Sequence, residues 1–208
     1  MIGGMLGPVS EPTERWLAIL LFDGVEELDA IGPWEVLAFW TANFPDDGYR
    51  VTTFSETGEP VRCAKGLTVV PDRATADLPA VEILLHPGGR GTRPLMRDAA
   101  HLEQVKRWRA EVPLMTSVCT GSLVFAAAGL LAGRPATTHH ASLDVLGETD
   151  PSIEVRRDDR FVDDGDVVTS SGVSAGIDMA LHLVARLVSP ERARQVRRGI
   201  QYDPEPPV

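Results

Sequence analysis

Cysteine, aromatic residues and positive charge are all scarce in this 208-residue sequence. The two cysteines, Cys63 and Cys119, are too few for a disulfide framework and are compatible with a reducing compartment. The 20 basic residues are outnumbered by 30 acidic residues, and the resulting net charge of −10 argues against duplex nucleic acid or an anionic membrane as the main partner. These shortages favour a cytoplasmic enzyme or a small-molecule sensor.

A signal peptide and a membrane-spanning helix are also missing. Residues 1–15 have neither a basic start nor an apolar centre, so we interpret them as a flexible N-terminal tail. Residues 113–133 are uncharged and long enough to span a bilayer, but their hydroxyl groups and glycines are unfavourable at its centre. We therefore predict a buried strand, a tight turn and a buried helix in this stretch.

Short apolar runs alternate with helical patterns over residues 16–202, which predicts one α/β domain with a mainly parallel sheet and helices on both faces. Residues 203–208 are predicted to form a C-terminal tail. The predicted strands are residues 16–22, 49–54, 67–70, 83–86, 114–118 and 136–138, followed by a hairpin of 160–162 and 167–169. The predicted helices are residues 34–40, with Pro33 in the first turn, 99–111, 121–128, 174–187 and 190–201.

Chemically suggestive residues stand where several of these strands end. In a parallel sheet, ligands bind beyond the carboxyl ends of the strands. The topology therefore brings together the segments 86–89, 117–121 and 137–140, with the acidic segment 26–29 after the first strand. We predict a functional site at this edge of the sheet.

Cys119 is predicted to lie on a sharp turn between a strand and a helix, the geometry of a nucleophile elbow. Its sulfur then faces the positive end of the helix that begins near Thr120, which favours the thiolate form. The alternative is a buried, inert cysteine. Cys63 lies in a loop without such a turn, and we interpret it as structural, although the neighbouring Arg62 and Lys65 are expected to lower its pKa.

Two glycines and a histidine have both a functional and a structural interpretation. Gly88 and Gly89 follow a buried strand and can present backbone N–H groups to a ligand as an oxyanion-type hole, or they serve a turn that needs a positive φ. His139 is a candidate base or orienting partner for the Cys119 thiol, or a histidine at the edge of the sheet without a role in catalysis. The sequence shows no pair of ligands at the spacing of a zinc site.

Asp29 precedes a predicted helix and either caps it or carries a proton near Cys119. Burial and a neighbouring anion are expected to raise its pKa enough for proton transfer. Asp23, Glu26 and Glu27 are competing carboxylates that spacing alone does not exclude.

These segments together resemble the ThiJ/PfpI family of the class I glutamine amidotransferase-like superfamily. The strongest similarity is in residues 116–122 (TSVCTGS), followed by 127–131 (AAGLL) and 136–139 (ATTH). Residues 28–33 (LDAIGP) and 172–178 (GVSAGID) extend it over nearly the whole chain. The resemblance implies a flavodoxin-like three-layer sandwich, a homodimer and no metal or organic cofactor. Trp34 and Trp40 are large apolar residues that a partner subunit is expected to cover.

Within this family the sequence is most similar to the branch that hydrates isonitriles to N-substituted formamides. By this resemblance, Cys119 corresponds to the nucleophile of the family, Thr120 to the residue with the neighbouring hydroxyl group, and Asp29 to the acid. Gly88 and Gly89 are expected to help position the intermediate, and His139 to line the substrate site. Protease-like members have a glutamate near the Asp29 position and use a histidine that corresponds to His139, so the aspartate favours the hydratase branch.

Two alternatives stay open. The first is a cysteine-dependent amidase, peptidase or glyoxalase-like hydrolase with His139 as base. The second is a non-catalytic sensor in which Cys119 is oxidised or a ligand is bound.

Overall fold

The computed structural model describes residues 14–204. Most of both predicted tails lies outside the described residues, but Arg15, which we assigned to the N-terminal tail, already belongs to the first strand. Within the part of the chain that is described, no helix combines the length and apolar character needed to cross a bilayer.

Strands and helices alternate along the chain. The strands are β1 (Arg15–Leu20), β2 (Tyr49–Ser55), β3 (Val61–Arg62), β4 (Thr68–Val69), β5 (Arg73–Ala74), β6 (Val81–His86), β7 (Leu114–Val118), β8 (Pro135–Ala136), β9 (Glu154–Val155), β10 (Phe161–Asp163) and β11 (Val167–Ser170). The α-helices are α1 (Glu27–Asn43), α2 (Thr92–Leu95), α3 (Ala99–Glu111), α4 (Gly121–Ala127), α5 (Leu143–Thr149), α6 (Ala175–Leu187) and α7 (Pro190–Gly199).

The main sheet, as far as residues 14–204 define it, has seven strands in the order β10-β11-β7-β6-β1-β2-β5. Its neighbouring strands are parallel except for the antiparallel β10–β11 pair. Side chains of β1 alternate between the two faces: Leu17 and Ile19 pack with α1, α6 and α7, while Ala18 and Leu20 pack with α3, α4 and α5. The predicted flavodoxin-like three-layer α/β sandwich is confirmed.

The first helix differs from the prediction. It begins at Glu27 and contains Pro33 in its interior, whereas we expected Pro33 in the first turn. Gly32 and Pro33 pack closely against α6 instead: a Cβ atom on Gly32 would lie 3.1 Å from Cγ1 of Ile177, and a Cβ atom on Gly176 would lie 3.1 Å from Cγ of Pro33. The Gly-Pro pair therefore takes part in a helix–helix contact. Because α1 begins at Glu27 with Glu26 as the N-cap residue, Asp29 lies in its first turn.

Trp40 is fully buried within its own chain, and its indole N–H donates to Oδ2 of Asp47 at 2.7 Å. The expectation that a partner subunit covers Trp40 is therefore wrong. The Trp40 side chain already lies in the apolar core of its own chain, while Trp34 is only partly buried.

The predicted strand at residues 136–138 is also different in the structure. Only Pro135–Ala136 form β8, and this strand pairs with β9 in a separate two-stranded sheet. Thr137 and Thr138 are instead attached to the main sheet by hydrogen bonds: the Thr137 N–H donates to Oγ1 of Thr169 at 2.9 Å, and the Thr138 hydroxyl donates to the Cys119 carbonyl at 2.8 Å.

Candidate active site

Cys119 occupies a strained turn between β7 and α4. Its φ angle is +56°, a left-handed conformation that costs a non-glycine residue on the order of 1–3 kcal/mol. The surrounding chain fixes this conformation, because the Cys119 N–H donates to the carbonyls of Ser170 and Ser171, both at 3.1 Å. The Cys119 carbonyl accepts from the hydroxyls of Thr138 at 2.8 Å and Ser122 at 3.1 Å. The turn projects the sulfur beyond the carboxyl end of β7.

Two sets of interactions shift the pKa of the Cys119 thiol in opposite directions. Burial, followed by the negative charge of Asp29, raises the pKa of Cys119 to about 12. Backbone N–H groups of Thr120 and Val173 hydrogen-bond to the sulfur and act in the other direction. This raised pKa corrects the expectation that the start of α4 favours the thiolate form of Cys119. Ionisation of the thiol depends instead on the neighbouring carboxyl group of Asp29.

Asp29 reaches Cys119 from the first turn of α1. Burial raises the pKa of Asp29 to about 7, although hydrogen bonds to Cys119 and to the Gly88 N–H oppose the shift. The Gly88 N–H donates to Oδ2 of Asp29 at 3.0 Å, whereas the buried Oδ1 has no normal hydrogen bond to another described residue. Because the two groups are coupled, the pair as a whole holds one proton above the Asp29 pKa of about 7. The pair can therefore provide both a thiolate and a carboxylic acid.

The other carboxylates near the first strand have different partners. Asp23 accepts a hydrogen bond from the Arg62 N–H, and Glu27 accepts one from the Lys65 N–H. Glu26 forms a salt bridge with Lys65 at the edge of the site. Of the four candidate acids, Asp29 is the one that acts on the pKa of Cys119.

Gly88 and Gly89 do not form the oxyanion-type hole that we expected, because both N–H groups already have acceptors within the protein. Gly88 donates to Asp29 as described, and Gly89 donates to Oγ1 of Thr120 at 3.0 Å. A Cβ atom on Gly88 would lie 2.5 Å from the Thr120 nitrogen and 2.8 Å from Oδ2 of Asp29. The glycines thus let the loop after β6 hold the acid and the hydroxyl beside Cys119.

His139 lies at the mouth of the site, and its ring is only partly buried. Its Nδ1 accepts a hydrogen bond from the Ala141 N–H at 3.2 Å, so the neutral ring carries its proton on Nε2. Burial, and next the positive charge of His140, lower the pKa of His139. No hydrogen bond between His139 and Cys119 occurs within residues 14–204. The neutral ring therefore offers the site a donor and not a base.

A cavity of about 370 Å³ opens above the cysteine. Its lining brings together Cys119, Thr120, Gly89 and His139, four of the predicted site residues. The other lining residues are Glu26, Arg90, Arg93, Ala141, Ser142 and Val173. Such a volume accommodates a small organic molecule, with its reacting atom next to the sulfur.

The sequence profile of the DJ-1/PfpI family matches residues 15–186. The chain belongs to the DJ-1/PfpI family. This assignment covers the elements that carry Asp29, Gly88, Cys119 and His139, and it confirms the ThiJ/PfpI resemblance.

Several proteins of this family are similar to the chain over most of its length. It is 41% identical to an isonitrile hydratase of Pseudomonas putida, over 92% of this chain and 80% of that protein. It is 30% identical to the glutathione-independent glyoxalase DJR-1.2 of Caenorhabditis elegans, over 88% of this chain and 94% of that protein. A solved structure of a THiJ/PfpI family protein from Pseudomonas syringae superimposes with a TM-score of 0.84 at 30% identity, covering 100% of this chain and 84% of that one.

Several residues of the site escaped the sequence analysis. Thr92 is fully buried, and its hydroxyl lies 3.0 Å from Oγ1 of Thr120 and 2.8 Å from the Gly89 carbonyl. Val173, like Cys119, has a positive φ, +49°, and its N–H points at the sulfur. The only signal for Thr92 was its place soon after the two glycines. Val173 belongs to the segment 172–178 that resembles the family, but its role depends on a backbone conformation that this segment does not reveal.

Proposed function

We propose that this protein hydrates isonitriles, R–N≡C, to N-substituted formamides. The observation that carries the proposal is the pairing of the buried Asp29 with Cys119, an acid beside the nucleophile that lines a small cavity. The 41% identity to an isonitrile hydratase over 92% of the chain supports the same reaction. An isonitrile needs a proton and a nucleophile at one carbon, which is what this pair can supply.

In the first step the Cys119 thiolate forms a C–S bond to the terminal carbon, and Asp29 transfers its proton to that carbon. The product is a covalent thioimidate, R–N=CH–S–Cys119, beside an ionised Asp29. The Thr120 and Val173 N–H groups face the sulfur and stabilise it whenever it is anionic.

In the second step water adds to the thioimidate carbon. The nitrogen gains one proton, and the carbon gains the hydroxyl group. Breakage of the C–S bond then releases R–NH–CHO and the Cys119 thiolate, while the hydroxyl proton returns to the Asp29 carboxylate. Asp29 thus acts first as acid and later as base, as its pKa of about 7 permits.

The test is turnover of a neutral isonitrile, such as cyclohexyl isonitrile, followed by detection of the formamide. Intact mass spectrometry of the unsubstituted protein, quenched with acid during turnover, is expected to show an adduct of the isonitrile mass on Cys119. Asp29→Asn is expected to show little adduct, because it lacks the proton for the first step. Cys119→Ser is the matched control without the sulfur. If no formamide forms but methylglyoxal or an amide is turned over, the hydrolase alternative replaces this proposal. If no substrate is turned over but peroxide oxidises Cys119, the sensor alternative is favoured.

We also propose that the protein is a homodimer. Leu67 and Val70, at the two ends of β4, are 51% and 69% exposed and offer an apolar surface for a second copy. Sedimentation at micromolar concentration is expected to give twice the chain mass of 22.5 kDa. A single species at the monomer mass would contradict this proposal.

A further inference from the structure

Two arginines lie at the mouth of the cavity that contains Cys119. Arg90 and Arg93 follow the two glycines after β6, and both side chains are exposed while contributing to the cavity lining. Arg90 lies in the turn before α2 and Arg93 lies within α2, and the Arg93 N–H donates to the Arg90 carbonyl at 3.2 Å. Both guanidinium groups therefore belong to the entrance of the site.

Neither arginine has an ion pair within residues 14–204. Arg93 has one long hydrogen bond, from Nη2 to Oγ of Ser142 at 3.4 Å, and Arg90 packs its Cγ over Gly24. Most of the other arginines in this acidic protein have a carboxylate partner; those of α7, for example, pair with Glu191, Asp47 and Asp203. Two unpaired cations at the entrance of a cavity, in a chain of net charge −10, form a local positive field.

The one carboxylate in the cavity lining, that of Glu26, does not cancel this field. It forms a salt bridge with Lys65, so its charge is compensated from outside the cavity. The partly buried His139 offers an additional N–H donor on the same rim, since its Nδ1 is occupied by Ala141. A ligand that enters this site meets donors and positive charge on the rim before it reaches the sulfur.

We infer that the site selects isonitriles whose substituent carries a carboxylate group, with Arg90 and Arg93 as the residues that determine this specificity. The inference rests on the proposed function. Because the R–N≡C group is linear, a substrate whose terminal carbon contacts Cys119 directs its substituent away from the sulfur and toward the entrance. Guanidinium groups bind carboxylates through paired N–H donors, which makes arginine suited to this recognition.

The first experiment compares isocyanoacetate with its methyl ester, which differ mainly in charge. We expect kcat/KM to be about tenfold higher for the anion, and rising salt to lower the rate for the anion more than for the ester. Arg90→Ala and Arg93→Ala are each expected to raise KM for isocyanoacetate several-fold with little change in kcat, because they remove binding and not chemistry. Arg97→Ala, on the same segment but outside the cavity lining, is the charge-matched control, and Arg93→Lys is expected to recover part of the preference.

The second experiment does not depend on isonitrile turnover. In a Cys63→Ala background, Cys119 is alkylated by iodoacetate or by iodoacetamide; in both cases the thiolate forms a C–S bond and displaces iodide. The ratio of the iodoacetate rate to the iodoacetamide rate measures how strongly the entrance favours an anion over a neutral reagent of similar size. The Arg90→Ala/Arg93→Ala double variant is expected to lower this ratio about tenfold, and Arg97→Ala to leave it within about twofold.

These two experiments separate failure of the inference from failure of the proposed function. Equal kcat/KM for the acid and its ester, or an unchanged alkylation ratio in the double variant, would overturn the inference even if a neutral isonitrile is hydrated. If no isonitrile is hydrated but the alkylation ratio falls in the double variant, the arginines select anionic ligands and the proposed reaction is wrong.

Discussion

Cys63 and Cys119 are both free, both buried and both members of the same apolar cluster, yet their surroundings differ. Burial raises the pKa of both thiols. Around Cys63 the nearest charges are the carboxylates Glu27, Asp23 and Glu26, which raise its pKa further, so the expectation that Arg62 and Lys65 lower it is wrong. Cys119 has instead a strained backbone, two N–H donors to sulfur and an acid that shares its proton.

Burial and a raised pKa are common to both cysteines, so neither feature marks Cys119 as the proposed nucleophile. The distinguishing features are a proton acceptor within the same buried site and hydrogen-bond donors directed at the sulfur. Cys63 lies in the loop between β3 and β4, where its N–H donates to the Leu67 carbonyl at 2.8 Å. The experiments below test this difference, from the largest expected effect to the smallest.

Replacing Cys119 removes the nucleophile, so Cys119→Ala is expected to lower kcat by about 10³-fold or more. Cys63→Ala is expected to leave kcat within about twofold and to cost roughly 1 kcal/mol of stability through a small cavity. Both variants are compared by formamide production and by denaturant unfolding. Substantial hydration by a folded Cys119→Ala variant would contradict the covalent mechanism.

Asp29→Asn retains the shape of the side chain but removes its titrating proton. We expect a loss of about 10²-fold or more in kcat, within the range of general acid–base catalysis. His139→Asn is expected to cost less than about tenfold, since Nδ1 of His139 accepts a hydrogen bond from Ala141 and the ring is not placed as a base. A folded Asp29→Asn variant of near-normal rate, beside an inactive His139→Asn variant, would favour the amidase alternative.

The pH dependence of kcat/KM tests the shared proton directly. Below the Asp29 pKa of about 7 both groups are protonated and no thiolate is present. Above it the pair holds one proton, so kcat/KM for a neutral isonitrile is expected to rise about tenfold per pH unit and then level off near pH 7. In Asp29→Asn this rise should move to higher pH. A profile that is flat from pH 5 to 8 would show that the pair does not control the reaction.

The same carboxyl group is expected to lower the stability of the fold at neutral pH. Asp29 has a pKa near 3.8 in the unfolded chain and a pKa of about 7 in the folded one. The folded state therefore holds the extra proton between these pH values, and stability falls as pH rises through that window. Asp29→Asn has no carboxyl group to titrate and therefore does not lose this stability. Between pH 5 and pH 8 its free energy of unfolding is expected to rise by on the order of 2 kcal/mol relative to that of the original protein. Urea unfolding at the two pH values measures the gain, and a pH-independent difference would argue against it.

The smallest effect is expected for Thr92→Val, which removes the hydroxyl that contacts Thr120 and the Gly89 carbonyl. Loss of these buried hydrogen bonds is expected to cost about 1–3 kcal/mol in stability, with a severalfold loss of kcat as Thr120 shifts. Thr41→Val, a substitution of a buried threonine in α1 away from the site, is the matched control for stability. An unchanged rate in a clearly destabilised Thr92→Val variant would remove Thr92 from the machinery that positions Thr120.

The sequence allowed local features to be predicted more accurately than contacts between distant segments. Helix α3 and strand β7 were predicted with their observed limits, because a helical pattern of apolar residues and a continuous apolar run are local signals. The turn at Cys119 was also predicted from its neighbours. By contrast, the partners of the Gly88 and Gly89 N–H groups depend on Asp29 and Thr120, which are 59 and 31 residues away in the chain.

The errors have the same physical origin. Gly32-Pro33 was interpreted as a helix start because nothing nearby in the sequence indicates that α6 packs against it. His139 reaches the site because the Thr137 N–H donates to Oγ1 of Thr169 and the Thr138 hydroxyl donates to the Cys119 carbonyl, an arrangement that no strand pattern encodes. Arg90 and Arg93 are ordinary surface residues in the sequence, and only the cavity gives them a shared position.

The left-handed backbone at Cys119 bears on how this site can change in evolution. Glycine occupies that conformation without a steric penalty, so a chain selected for stability alone has a simpler residue available at position 119. At position 119 the hydrogen bonds that hold the turn use only the backbone carbonyl, which accepts from Ser122 and Thr138, and the backbone N–H. Every residue type except proline has both groups. The turn can therefore outlast the loss of its sulfur, and a descendant without the thiol would retain a preformed small-molecule cavity that is ready for a binding role.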